Sequence, residues 1–401
     1  MQKFLDWLER VLTPLAKVIG ENKYLVAIRD GFLLSTPLLI VGSVFLLIAN
    51  FPLPQWDTWM SHLLGKDWAT MMSVPASASF DVMTILAVVG IAYSLGKQFN
   101  VDAMQAGIIA LVSFFIVTPY QTLFTPENSS KVYEVTSLPL KWMGSSGLFL
   151  GMIVALIATR LFVAIVRKGW TIKMPEGVPP TVVKSFEALI PSFLVVTLMF
   201  LVNWLAALTP YGNLQDVIFE FLQTPLLSLG NTLGAMSIAY LFLHFFWFFG
   251  INGGSVVGAV FNPVLRALSV ENLQAFKDGH EIPNIITGQF QDMFATFGGA
   301  GSTLSLIIVM VLFCKSQRIK KLSQLSLIPG VFGINEPIIF GLPIVLNPIL
   351  LIPFVLVPAI NIIIAYFAMD WGLVPLTNGI QLPWTTPPII SGFLVSGWQG
   401  S

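Results

Sequence analysis

The sequence predicts an all-α polytopic membrane protein, and three observations carry that reading. Hydrophobic residues make up 55% of the 401, charged residues only 10%, and the formal net charge is zero. Apolar runs recur close to the twenty residues a helix needs to cross a bilayer. The stretch 330–348, broken by three glycines and three prolines, places an acid, Glu336, inside what reads as membrane. With no basic field, nucleic acid is excluded as a partner. A single cysteine, Cys314, excludes an intrachain disulfide framework and a Cys-rich metal site.

Taken in order, residues 1–23 form an amphipathic helix along the bilayer surface. Phe4, Leu8, Val11, Leu12, Leu15, Val18 and Ile19 repeat at helical spacing, with Asp6, Glu9, Arg10 and Lys17 largely between them. The acids, and the lack of a small-residue cleavage site, exclude a signal peptide. Spans are expected at 31–50, 77–96, 103–119, 145–166, 187–208 and 233–250, then at 300–314 and 349–369. Lys3, Arg10, Lys17, Lys23 and Arg29 precede the first; Arg167, Lys168, Lys173 and Lys184 follow the fourth; Lys315, Arg318, Lys320 and Lys321 follow 300–314. The loops 51–76, 120–144 and 209–232 hold only Lys66, Lys131 and Lys141. The positive-inside rule therefore puts the N-terminus and 167–186 in the cytoplasm. Trp56, Trp59 and Trp68 read as interfacial anchors on the other side. Pro175, Pro179 and Pro180 make 167–186 the domain boundary, between a half at 24–186 and a more irregular half at 187–401. Gly147 and Gly151 form a GxxxG pair that suggests close helix packing and a dimer contact.

The chemistry concentrates in broken segments. A carboxylate near a bilayer centre costs about 2.5–3.5 kcal/mol even on lenient insertion scales, so it normally faces a cavity and has a function. The alternative, an acid that only ties helices together, stays open. Irregular backbone at membrane depth persists only when packed in protein or lining a wet site. The stretch 330–348 thus reads as a re-entrant hairpin whose tip offers Asn335 and Glu336. Phe249-Gly-Ile-Asn252 repeats the Phe332-Gly-Ile-Asn335 tetrapeptide, and Asn262-Pro263 and Asn347-Pro348 follow the two copies. Paired Gly/Pro-interrupted segments point to a transporter binding site. The topology between 250 and 300 is unresolved: the sixth span ends inside, and so does 300–314, so something must return the chain outside.

Sugar binding needs few charges, many amide and carboxylate hydrogen bonds, and flat apolar faces. Asn252, Asn335, Glu336, Trp247 and Trp384 supply that set. His244 is either a pore-facing donor or a ring bonded to nearby backbone, and Cys314 reads as a small buried hydrophobe. The three histidines are too scattered for a metal. Gly90 to Gly96-Lys97 is one residue too long for a Walker A loop, with Gln98 where Ser or Thr is needed, which excludes ATP-driven transport by this chain. No cofactor is expected. Asn128-Ser-Ser matches the glycosylation pattern by accident. An ion-coupled secondary sugar transporter is the rival class, with Asp81, Glu187 and Glu336 as its intramembrane acids.

Together, Gly333-Ile-Asn-Glu-Pro-Ile, Phe249-Gly-Ile-Asn-Gly-Gly and Gly298-Gly-Ala-Gly-Ser-Thr resemble the membrane-spanning IIC component of the bacterial sugar phosphotransferase system, lactose/cellobiose/diacetylchitobiose branch, over essentially the whole chain. That resemblance implies ten spanning helices, two re-entrant hairpins, a homodimer formed through the N-terminal half, and a mobile C-terminal half that carries a disaccharide across the inner membrane. It implies that Glu336 bonds the sugar 6-hydroxyl as the catalytic group, that Asn335 shapes the tip and that Trp384 stacks on a ring, with Arg29 and Asp81 as weaker candidates. Asn252 stands where the family often has histidine. The phosphoryl donor, a phosphocysteine, belongs to a soluble IIB partner.

Overall fold

The computed structural model describes residues 21–51, 55–124, 131–175, 177–248, 252–342 and 347–401, with residues 18 and 344. The expected surface helix at 1–23 lies almost wholly outside these, as do Asn128 and residues 249–251 of the first Phe-Gly-Ile-Asn segment. In chain order come α1 (Lys23–Ala49), α2 (Trp56–Leu64), α3 (Trp68–Phe80), α4 (Met83–Gln98) and α5 (Ala103–Ile116). A two-stranded hairpin, β1 (Gln121–Phe124) and β2 (Tyr133–Thr136), pairs antiparallel with Gln121 opposite Thr136. Then follow α6 (Leu148–Arg167), α7 (Pro180–Glu187), α8 (Leu189–Ala207), a helical stretch α9 (Leu214–Gly230), and α10 (Leu233–Phe248). The chain closes with α11 (Gly253–Lys277), α12 (Thr303–Phe313), α13 (Gln317–Val331), α14 (Glu336–Gly341), α15 (Pro348–Asp370) and α16 (Ile390–Ser396).

Among the described residues, seven helical segments are long and apolar enough to cross a bilayer. They become eight if α9 and α10, bent by 74° at their junction, make one span. The expected ten is not reached by that criterion. One reason is α5, whose 14 residues give about 21 Å against the ~30 Å hydrocarbon core.

Several expectations need correcting. Segments 51–76 and 209–232 are not loops but carry α2, α3 and α9. Of the three tryptophans, only Trp59 is exposed. Trp56 donates its indole N–H to the Ile48 carbonyl at 2.7 Å, and Trp68 is buried and donates to Asp57 at 3.0 Å. The all-α reading overlooked the hairpin, whose Gln-Thr-Leu-Phe and Tyr-Glu-Val-Thr strands are rich in β-branched and aromatic residues. Between 250 and 300 lies α11, 25 residues and about 37 Å long, a helix with the length for the return that the sequence requires. Its charged Arg266, Glu271 and Asn262-Pro263 hid it from an apolar-run reading.

The chain forms two compact units. The first comprises Asn22–Leu39 and Ala76–Leu226; the second takes Ile40–Pro75 and Leu227–Ser401 with the N-terminal residues. The 186/187 boundary expected from the prolines falls inside the first unit, where α8 packs on α5 and α6. Within this unit α1 and α4 cross with their backbones touching. A Cβ on Gly31 would collide with the Ile91 backbone, and one on Gly90 with the Gly31 carbonyl oxygen. Gly147 and Gly151 are buried against the Trp142 carbonyl and the side chains of Thr84 and Val88. The GxxxG pair therefore packs inside the chain and presents no surface to another copy.

The second unit has two apolar clusters. One gathers Met236, Tyr240, Leu265, Phe290, Ile362 and Met369; the other gathers Ile307, Met310, Ile338, Ile339, Phe354 and Val355. Because α10 enters the first cluster with Met236 and the second with Phe245 and Trp247, while α15 meets them in reverse order, the two helices run antiparallel. Two non-helical stretches, 280–287 and 375–383, need partners for their backbone groups. Asn272, fully buried, donates to the Asn284 and Thr377 carbonyls (2.8 and 2.9 Å) and accepts from the Asn284 N–H at 3.0 Å. Asn231, Glu271 and a Thr287–Thr377 hydroxyl pair complete this network.

Candidate functional site

The site grows from a turn no ordinary residue run would make. Between the single turn Gly288–Phe290, followed by a wide π-turn at Gln291–Ala295, and α12, the backbone takes left-handed values at Gly298, Gly299, Gly301 and Ser302 (φ 75°, 86°, 78° and 52°). Glycine fits for steric reasons as well. A Cβ on Gly299 would press on the Gly333 carbonyl and Asn335, and one on Gly301 on the Phe354 ring. The turn is thus clamped between the 333–335 tip and α15.

Side chains lock the clamp from both sides. Asn335 is buried and donates both amide hydrogens, to the Ala300 carbonyl at 2.6 Å and the Thr303 hydroxyl at 2.9 Å. Asn361, on α15, donates to the Ala295 carbonyl at 3.2 Å and the Ser302 hydroxyl at 3.0 Å. Thr303 returns its hydroxyl to the Gly298 carbonyl. Gly333, itself at φ 78°, leaves room for the Trp384 ring, whose edge lies 3.4 Å from where a Cβ would stand. Trp384 is 60% exposed, so the rest of its ring stays open. Asn335 is the residue before α14, and Glu336 is that helix's first residue. The side chain of Glu336 lies outside the described residues.

Of the residues read from sequence, the structure brings Asn335, the backbone of Glu336, and Trp384 together around the glycine turn. Trp247 packs beside Ile338, Ile339 and Phe354 in the cluster beneath. His244 is fully buried; its Nδ1 lies 2.8 Å from the Tyr240 carbonyl and its ring meets Phe354 edge-on at 5.8 Å. That is the backbone-bonded arrangement, with Nε2 left without a partner. Asn252 caps α11, its Oδ1 accepting from the Ser255 N–H at 2.9 Å, and is exposed. The two Phe-Gly-Ile-Asn copies are alike in ending on the residue before a helix. The likeness stops there, because Asn262-Pro263 sits inside α11 whereas Asn347-Pro348 opens α15. Arg29 and Asp81 belong to the other compact unit, where Arg29 pairs with its neighbour Asp30 at 2.8 Å.

Sequence reasoning passed over three polar positions. Asn361 is a lone amide in the apolar run of α15, and a polar residue inside a span is itself the signal that could have found it. Arg266 and Asp292, within the candidate spans Gly253–Lys277 and Gly288–Phe313, are electrostatic partners. They were missed because neither segment reads as uniformly apolar.

Chemically, the glycine turn, the buried Asn335 that locks it and the exposed ring of Trp384 put polar backbone and an open aromatic face side by side, where α14 begins. A family model described as "Phosphotransferase system, EIIC" matches residues 29–358. The cellobiose-specific EIIC component of Geobacillus stearothermophilus is 40% identical over 400 residues, covering 99% of this chain and 89% of its own. The lichenan permease IIC component of Bacillus subtilis (strain 168) is 41% identical, covering 100% of this chain and 89% of its own. Among solved structures, the transporter ChbC, the IIC component of the N,N'-diacetylchitobiose-specific phosphotransferase system, superimposes with a TM-score of 0.95. It is 43% identical, and the match covers 98% of this chain and 92% of that one.

Proposed function

The chain belongs to the phosphotransferase system EIIC family, and on that premise we propose that it is the permease that carries a β-linked disaccharide, of the cellobiose or N,N'-diacetylchitobiose type, across the bacterial inner membrane. The observation that carries this reading is the meeting of the Asn335-locked glycine turn, the start of α14 and the exposed ring of Trp384. A sugar ring has flat C–H faces for the indole and hydroxyls for carbonyls and amides. It therefore fits a site with polar backbone and few charges.

In the proposed step, Glu336 accepts the hydrogen bond of the sugar 6-hydroxyl and holds that oxygen in line with a phosphocysteine on a soluble IIB partner. The oxygen–phosphorus bond forms as the sulfur–phosphorus bond breaks; the hydroxyl proton passes to the Glu336 carboxylate and the thiolate leaves with the partner. Positioning and general base action are what this chain contributes. The sugar lies between the segments led by Asn252 and Asn335. Functionally, 24–186 serves dimerisation, with 167–186 as a cytoplasmic linker and the N-terminus cytoplasmic, and 187–401 handles the sugar. Trp247 and His244 remain candidate sugar contacts under this reading.

Glu336→Gln tests the assignment. The variant should insert and unfold like the wild type, yet form phosphorylated sugar at a rate lower by about 100-fold or more, the usual worth of a positioned base. Wild-type rates of sugar phosphate formation would overturn it. Accumulation of free sugar driven by an ion gradient, in vesicles lacking the phosphoryl relay, would favour the ion-coupled class instead.

A further inference from the structure

The second feature of chemical interest lies in the first unit, far in sequence from the glycine turn. Lys23, Arg160 and Arg167 converge on the ring of Phe99, with their charged groups 4.8, 5.3 and 5.3 Å from its centroid. Lys23 donates to the Gln98 carbonyl at 3.0 Å, Arg167 to the Phe99 carbonyl at 3.1 Å, and Arg160 to the Tyr24 hydroxyl at 3.2 Å. All three cations are exposed. The ion pairs recorded among the described residues, Arg29–Asp30 and Lys184–Asp102, involve none of them.

Capping of helix ends explains part of this arrangement but not its charge. The carbonyls engaged close α4, and a helix C-terminus is worth about half a negative charge, so α4 and α6 together offer about −1 against three cations. Roughly two positive charges stay uncompensated. Their height is equally informative. Lys23 is the first residue of α1, Gln98 the last of α4 and Arg167 the last of α6, so three apolar helices end at one level. The backbone of Arg160 lies seven residues back from Arg167, about 10 Å deeper, yet its guanidinium reaches up to Phe99 and Tyr24 at the helix ends, and Ile157, one turn below it, is 46% exposed. A side chain that rises from that depth past an outward-facing aliphatic residue brings its charge to the level of lipid headgroups.

We propose that Lys23, Arg160 and Arg167, gathered on Phe99, hold the phosphodiester headgroup of an anionic phospholipid whose acyl chains run down α6 past Ile157. The remaining ammonium and guanidinium N–H groups bond the phosphate oxygens, and Tyr24 and Phe99 pack on the glycerol region.

The test uses the full chain purified in an uncharged detergent. Native mass spectrometry then follows retention of phosphatidylglycerol, with phosphatidylcholine and inorganic phosphate as the other arms. Phosphatidylglycerol should be retained selectively, and each cation removed should lower its occupancy about fivefold. Lys23→Gln/Arg160→Gln/Arg167→Gln should therefore lose it nearly completely, while Arg160→Lys keeps it. Arg160→Gln alone removes only surface contacts, the bond to Tyr24 and the guanidinium over Phe99, and should still lower occupancy about fivefold if the triple variant fails to fold. Equal retention of phosphatidylglycerol by wild type and the glutamine variants would overturn the proposal. So would equal retention of the two lipids, or displacement of phosphatidylglycerol by millimolar phosphate, which would indicate a site for a free anion.

Discussion

Asn335 and Asn252 look equivalent in the sequence, yet their side chains do different things. Both amide hydrogens of Asn335 go to the glycine turn, so only its Oδ1 could face a ligand, and its main role is to fix where α14 begins. Asn252 uses Oδ1 as a helix cap and keeps its amide hydrogens for other partners. That separates two effects that an alanine would mix. Asn252→Ala should cost about 1 kcal/mol of stability through the lost cap as well as weakening sugar binding. Asn252→Ser preserves a capping oxygen and removes the amide. If the amide bonds the sugar, Asn252→Ser should bind it about tenfold less tightly, a buried bond's worth, at nearly unchanged melting temperature. Titration calorimetry and thermal unfolding on the same preparation check this; unchanged affinity would leave Asn252 as a cap alone.

At the scale of elements, irregular segments are held by amides that the sequence does not announce. Asn272→Leu would strip partners from two carbonyls and one N–H, each worth about 1–3 kcal/mol when buried and unpaired. We expect a loss of at least about 3 kcal/mol, read as a marked fall in melting temperature, whereas a surface amide such as Gln274 should tolerate the same change within about 0.5 kcal/mol. The start of α5 gives a pH-dependent counterpart. Asp102 caps Met104 and Gln105, and its carboxyl is held below its ordinary 3.8, chiefly by the Gln105 N–H, with burial opposing and Lys184 assisting. A carboxylate whose folded pKa is depressed stabilises the fold above its unfolded value and loses that contribution as pH falls through the folded one. Asp102→Ala should thus be about 1 kcal/mol less stable than wild type near neutrality, with the gap closing below about pH 4. A gap independent of pH would show that the carboxylate charge is not what matters there. The regular spans were legible because an apolar run is its own signal. By contrast, α11 was not: Arg266, Glu271 and Asn272 serve internal partners, and a hydropathy reading counts them only as polar.

For the whole molecule, the reach of the sequence had a physical limit. Gly333-Ile-Asn-Glu-Pro marked the tip because an acid and helix breakers inside an apolar chain are costly without a purpose. That the tip locks onto Gly298–Thr303 beside Trp384 could not be read from periodicity, since it depends on contacts across thirty or more residues. The division into units was hidden likewise, because α1 contributes to both. Orientation, in contrast, rests on composition alone. Arg167, Lys168, Lys173 and Lys184 cluster between α6 and α8, while the hairpin of β1 and β2 carries no basic residue within its strands. Translocating lysine and arginine is resisted, so the basic segment should stay in the cytoplasm and the hairpin should face outward. Cys314, the single thiol, is half-buried, so Cys314→Ser gives a clean background for labelling. In it, Tyr133→Cys on the exposed β2 strand should react with a membrane-impermeant maleimide added to intact cells. Lys173→Cys, also exposed, should react only after the membrane is opened. The reverse pattern would place the basic segments outside and overturn the positive-inside reading of this chain.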